Sequence, residues 1–312
     1  ITEGNDIFKT EAKTLAKFHI PINKLLEKAF RGSYQPIAAK CIYTQDKQGF
    51  TLATVTHGLD LKHCLHVLRK IAQYHACSVV LRQQEPSRFK TFLDYYFENK
   101  EHSGMNAYFQ NTVKSVKREA EKWSGYEKCV DSLTALESET FGRWINSVLR
   151  QEDGYNVLIH GDLWLNNIMF RYSDENDVQE VRFVDFQLSY VTSPAIDLLY
   201  FLHSSASPEV LANDREILID EYYNTLCDTF YKLGHGELQP TRDILNAELE
   251  KKQVFGVLAC LTLRSFALVD RNHLPELDKL TKKDESSHFS KQYKEALKQL
   301  LPLYEEWGWL KV

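Results

Sequence analysis

VLIHGDLWLNNIMF, residues 157–170, begins as an apolar strand and then breaks its own pattern. After Val157, Leu158 and Ile159 come His160, Gly161, Asp162, Trp164, Asn166 and Asn167, before Ile168, Met169 and Phe170 restore an apolar run. A plain core hairpin has no use for an imidazole, a carboxylate and two carboxamides, because buried polar groups are costly unless each finds a partner. A further apolar run, EVRFVDF (180–186), follows the polar SDEND (173–177) and carries Asp185 near its end. The pattern predicts one β-island made of NVLIH (156–160), NIMFR (167–171) and EVRFVDF, with SDEND as a hairpin loop.

Around this island the periodicity is helical. FKTEAKTLAKF (8–18) reads as a helix that Pro21 closes, and IAAKCIY (37–43) and GFTLATV (49–55) read as two short strands. From Leu61 onward Cys64, Leu65, Leu68, Ile71, Ala72 and His75 fall on one buried stripe, with His75 expected to bond to backbone. Further helices are expected at 106–124, 135–151, 194–203, 208–233, 243–270 and 290–302. The fold class is therefore α+β, mostly helical, with little sheet.

The 312 residues suffice for one large domain or two lobes with a real core. Thirty-eight basic against 43 acidic side chains leave a net charge of −5, which offers no field for nucleic acid or an anionic membrane. Six cysteines are scattered without a CxxC pair, and Cys64, Cys77 and Cys260 lie in apolar helical runs as buried free thiols. No sequon, signal peptide or long apolar span is visible, so the expectation is a soluble cytoplasmic protein. Oligomeric state is not legible.

The chemistry sits in the island. Asp162 and Asn167 are five residues apart on the loop between two strands, and Asp185 ends the next strand. Phosphoryl transfer from a nucleotide uses this set: a carboxylate to orient and deprotonate the attacking hydroxyl, and a carboxylate with a carboxamide to hold Mg²⁺ on the phosphates. On that reading Asp162 is the base, while Asn167 and Asp185 are ligands for Mg²⁺, a cation that keeps several waters and leans on substrate phosphates. A metal-dependent phosphoesterase using His160 and the aspartates is a further reading, but the additional His/Asp clusters of a two-metal site are missing from the sequence.

H-x-D-x-x-x-x-N followed by V-D-F resembles the kinase catalytic and metal loops. Gly161 in place of Arg, and Gln187 in place of the Gly of D-F-G, resemble the aminoglycoside and choline kinase branch. HGDLWLNNIMF, VDFQLSYVTSPAIDLLYFL and LRKIAQYHACSVVL together resemble the ecdysteroid kinase-like (CHK kinase-like) family of insects, from about Phe8 to the closing EEWGWL. The resemblance implies a protein-kinase-like bilobal fold and an ATP- and Mg²⁺-dependent transfer to a small-molecule alcohol, ecdysteroid-type by the family's name. It also implies roles: His160 bracing the metal loop, Asp162 as catalytic base, Asn167 and Asp185 on Mg²⁺ and nucleotide, and Asp197 propping the catalytic-loop backbone. Glu11 would be the cofactor-binding helix glutamate that pairs with the ATP-binding lysine. Trp164 and Asn166 would position the loop.

The chain also departs from a kinase. No G-x-G-x-x-G occurs, and no strand lysine precedes Glu11; Lys40 follows it and reads as an ordinary strand lysine. Only TQDKQ separates Tyr43 from Gly49, where relatives carry a longer strand-to-hinge segment. The expected layout is a reduced N-lobe over 1–59 and a helical C-lobe over 60–312. Because the sequence begins at Ile1, an incomplete N-terminus is one reading and a natural variant with a reduced nucleotide site the other. The alternative function is a degenerate kinase that binds a small molecule with little or no turnover.

Overall fold

Thr14 opens a helical segment that runs through a π turn, Leu15–His19, into α1, Ile20–Phe30. The computed structural model describes residues 14–31, 33, 35–38, 49–53, 55–92, 103–268 and 289–310. Pro21, expected to close the helix, instead lies in the first turn of α1. A proline's missing N–H and fixed φ are tolerated there, just past the wider π turn. Arg31, at φ 36°, is where the helix ends, with its N–H on Glu27 O.

A short strand β1 (Thr51–Leu52) precedes α2 (Leu61–Gln84), whose N-terminus Asp60 caps by accepting from His63 N at 2.9 Å. The expected stripe is largely realised: Cys64, Leu68, Ile71, Ala72 and His75 are buried and Leu65 is half-buried. After a 3₁₀ turn, Pro86–Phe92, come α3 (Ser103–Ala120) and α4 (Glu127–Val148), which pack on each other. Then follow β2 (Val157–Leu158), β3 (Ile168–Tyr172), β4 (Val178–Phe183) and β5 (Val191–Thr192).

The strands do not make one island. β3 and β4 form the expected hairpin around 173–177, where Asn176 takes φ 63°, and β1 joins the other edge of β3. β2 pairs separately with β5, Val157 opposite Thr192 and Leu158 opposite Val191. The loop between β2 and β3 is therefore free to serve as a site.

α5 (Ala195–Ser205) is buried almost throughout, and α6 (Pro208–Asn213) and α7 (Arg215–Leu233) follow it. α8 (Arg242–Lys251), α9 (Gln253–Ala267) and α10 (Lys291–Glu306) complete the described chain. Two helices expected as single pieces are each broken in two. Asp214 (φ −120°) separates α6 from α7, and Lys252 (φ −107°) separates α8 from α9. The second break turns Lys252 inward, where its Nζ donates to Ser147 O at 2.6 Å. α7 lies along α2, while α9 packs on α5 and α4. Among the described residues, no helix is long and apolar enough to cross a membrane.

Candidate active site

The β2 strand delivers His160, Gly161 and Asp162 to one end of its ladder. Gly161 adopts φ +84°, and a Cβ added there would lie 2.1 Å from Leu188 O. Only glycine fits that turn. Asp197, fully buried on α5, accepts from His160 N at 2.7 Å through one oxygen and from Gly161 N at 2.9 Å through the other. His75 of α2 adds Nε2 to the Asp197 carboxylate at 3.0 Å, and its Nδ1 meets Tyr222 Oη at 2.8 Å. The stripe correctly buries His75, but its partners are side chains rather than backbone.

His160 also has both ring nitrogens engaged. Nε2 donates to Val184 O at 2.9 Å and Nδ1 accepts from Asp162 N at 3.2 Å. Burial pushes its pKa down to about 4, against the opposing pull of Asp197, so the ring is neutral and works as a strut between the catalytic loop and the residue before Asp185. Phe186 packs its ring between His160, at 4.3 Å, and His19 of the π turn, at 4.2 Å.

Asp162 is held at both oxygens. Oδ2 accepts from Asn167 Nδ2 at 2.9 Å, and Oδ1 takes the Tyr200 hydroxyl. Burial raises the carboxyl pKa to about 6; the Tyr200 bond opposes this, nearby Asp185 adds to it, and the Asn167 bond opposes it. Asn167 closes the 3₁₀ turn Leu165–Asn167 and gives a second hydrogen bond from Nδ2 to Asp162 O at 2.9 Å. Its amide oxygen faces away from those two bonds and is left to act as a ligand.

Asp185 occupies the left-handed region at φ 64°, a conformation that costs a non-glycine residue about 1–3 kcal/mol and is concentrated at functional sites. It is half-buried, burial raises its pKa, and Gln187 Nε2 donates to Oδ2 at 3.2 Å. Val184 N bonds to Asn167 O at 3.1 Å, so the two prospective ligands are tied together through backbone. The donor set is one carboxylate and one carboxamide, which suits Mg²⁺ completed by water and phosphate oxygens. No group of three or more His, Cys, Asp or Glu able to hold a metal occurs among the described residues. Glu11 and Lys40 lie outside the described residues.

Beside the loop lies a cavity of about 260 Å³. Gly161 and Leu188 line it at the catalytic loop, with Phe109, Trp144, Tyr200 and Phe255 among its walls. Its Tyr108 and Tyr190 hydroxyls are spent on Thr262 O (3.3 Å) and Val148 O (2.7 Å), and no acidic or basic side chain among the described residues lines it. Sequence reading missed Tyr200 and Gln187. Tyr200 had a signal: it follows Asp197 by three positions, on the same helix face.

A family model described as the ecdysteroid kinase-like family matches residues 1–235. A solved structure, choline kinase from Cryptosporidium parvum Iowa II, is similar at 13% identity, covering 83% of this chain and 71% of that one, with a TM-score of 0.40. No curated protein matches the sequence.

Proposed function

The chain belongs to the ecdysteroid kinase-like family, kinases of small-molecule alcohols, and from that premise we propose that it transfers the γ-phosphoryl group of ATP to a hydroxyl of a mostly apolar alcohol, with an ecdysteroid as the first candidate. The observation that carries this reading is Tyr200, which both lines an apolar cavity and bonds the Asp162 carboxylate. Asp162 receives the proton of the acceptor hydroxyl as that oxygen bonds to the γ-phosphorus, and ADP departs with the cleaved oxygen. His160 and Asp197 hold the loop in place. Asn167 and Asp185 would hold Mg²⁺, which neutralises phosphate charge when bound. We read residues 60–312 as the lobe that carries the cavity and both loops, and 1–59 as a small N-terminal lobe.

The cavity supports the acceptor class. A cationic aminoglycoside requires carboxylates, and none among the described residues lines the cavity. Its aromatic walls could hold a quaternary ammonium, so choline is the arm that tests the choice. The experiment offers Mg²⁺-ATP with an ecdysteroid, choline and an aminoglycoside, following radiolabel transfer and thermal stabilisation together. Transfer to the ecdysteroid is expected. Transfer to choline or the aminoglycoside alone overturns the acceptor class. Stabilisation by the ecdysteroid without any transfer would instead make the chain a binding module.

A further inference from the structure

We propose that Tyr200 is a positioning residue for phosphoryl transfer: its hydroxyl holds the Asp162 carboxylate toward the acceptor cavity while its ring forms part of the cavity wall. The inference rests on the kinase reading above. It begins from the mobility of an aspartate carboxylate, whose terminal torsion has a broad, roughly two-fold profile and is not fixed by backbone alone. Backbone here is fixed by Asp197, which takes the His160 and Gly161 N–H groups. That leaves the Asp162 side chain to be oriented by something else.

Two donors on two different oxygens do this. Asn167 Nδ2 reaches Oδ2 at 2.9 Å and the Tyr200 hydroxyl reaches Oδ1, so the plane of the carboxylate is set from both ends. A carboxylate offers about four lone-pair sites; these two bonds and a further one from the Trp164 side chain leave about one for an acceptor hydroxyl. Asn167 carries the other duty of a metal ligand, but Tyr200 stands on the cavity side: it lines the same cavity as Gly161 and Leu188.

The tyrosine is itself well anchored. It sits on the buried helix α5 one turn beyond Asp197, half-buried, with its ring 6.0 Å from that of Phe255 on α9 at an interplanar angle of 32°. The hydroxyl and the ring therefore have separable duties, one toward the reacting group and one toward the bulk of the acceptor.

The test uses Tyr200→Phe and Tyr200→Leu in the full chain with Mg²⁺-ATP, with an ecdysteroid as alcohol acceptor and water as the second acceptor, read as ATP hydrolysis. Tyr200→Phe keeps the wall and removes the hydroxyl. Its kcat should fall by about tenfold or more for both acceptors, with the alcohol KM unchanged to within about twofold, because misplacing a reacting group weakens the chemical step rather than binding. Tyr200→Leu should show the same loss of kcat and raise the alcohol KM as well. A Tyr200→Phe chain with kcat within about twofold of wild type overturns the proposal. So does one that has lost its native circular dichroism, since the hydroxyl would then be structural. Wild-type chain that transfers to neither alcohol nor water removes the kinase reading itself, and this inference with it.

Discussion

Replacing Asp162 by Asn should separate catalysis from stability, and the structure gives the size of each effect. Asp162 Oδ2 accepts from Asn167 and Oδ1 from Tyr200. An asparagine can turn its oxygen to Asn167 and its Nδ2 to Tyr200, whose hydroxyl then accepts where it had donated. The Tyr200 proton and the Trp164 side chain, which also bonds the wild-type carboxylate, must then find other acceptors, so hydrogen bonding should cost about 1–3 kcal/mol. Burial meanwhile holds the wild-type carboxyl at about 6, above its ordinary value of 3.8. The sign follows from linkage. Above pH 6 the folded state carries an ionised group it disfavours; as pH falls from 6 towards 4 the folded state takes up the proton first and regains stability. At pH 7.5, without divalent cation, Asp162→Asn should therefore recover up to about 3 kcal/mol, at 1.36 kcal/mol per pKa unit, which offsets the hydrogen-bond cost and leaves it close to wild type. That recovery should vanish near pH 4. Turnover should nevertheless fall by about 10² to 10⁴, the contribution of a general base, or about 3–5 kcal/mol of barrier. Urea unfolding at the two pH values and ADP release at pH 7.5 measure both. A near-normal kcat refutes the base assignment, and a variant less stable than wild type by more than about 3 kcal/mol refutes the hydrogen-bond exchange.

Gly161→Ala should lose stability and activity together, because φ +84° costs a residue with a Cβ about 1–2 kcal/mol and that Cβ would lie 2.1 Å from Leu188 O; an unshifted melting temperature contradicts it. Asp197→Asn should destabilise by about 3 kcal/mol, since one amide oxygen cannot serve His160 N, Gly161 N and His75 Nε2, and a buried donor is left facing an NH₂; chemical denaturation at neutral pH checks the figure. Lys70 is buried, its Nζ donating to Gln35 O and Pro36 O, and burial lowers its pKa to about 8. Below pH 8 the folded state carries that buried charge in full; between about 8 and 10.4 the unfolded chain holds the proton more tightly, so stability rises with pH. Wild type should gain up to about 3 kcal/mol on Lys70→Met across that window, and parallel pH profiles for the two would contradict it.

What was legible in the sequence was local. The β3–β4 hairpin, the α2 stripe and the pairing of Asp162 with Asn167 depend on neighbours a few residues apart, and the structure has each of them. What was not legible is set by partners far along the chain. β5 is two residues long, too short to announce itself, and its pairing is what takes β2 out of the β3 sheet. Burial of His75 could be read from periodicity, but not that it would find Asp197, 122 residues away. Pro21 shows a local rule applied too strongly: proline stops a helix from within, yet the first turn has no use for its N–H.

The same division explains how the loop that carries Asp162 is ordered. Three residues of α5 hold four points of the segment 160–167: Asp197 takes the His160 and Gly161 N–H groups, Tyr200 donates to the Asp162 carboxylate, and Ser205 Oγ accepts from Leu165 N at 2.9 Å. His160 then carries that order to Val184, next to Asp185. Every one of these contacts is made between residues 160 and 205, and the outside prop on Asp197, His75, comes from α2. These hydrogen bonds set the geometry of the proposed base, while residues 1–59 brace the far side of the site through the ring contact of His19 with Phe186 and the bond from Phe183 N to Ile37 O. A substitution in α5 that breaks these hydrogen bonds should disturb the chemical step at any ATP concentration, whereas a change in the first 59 residues that touches only nucleotide contacts and leaves His19 and Ile37 in place should be overcome by raising ATP.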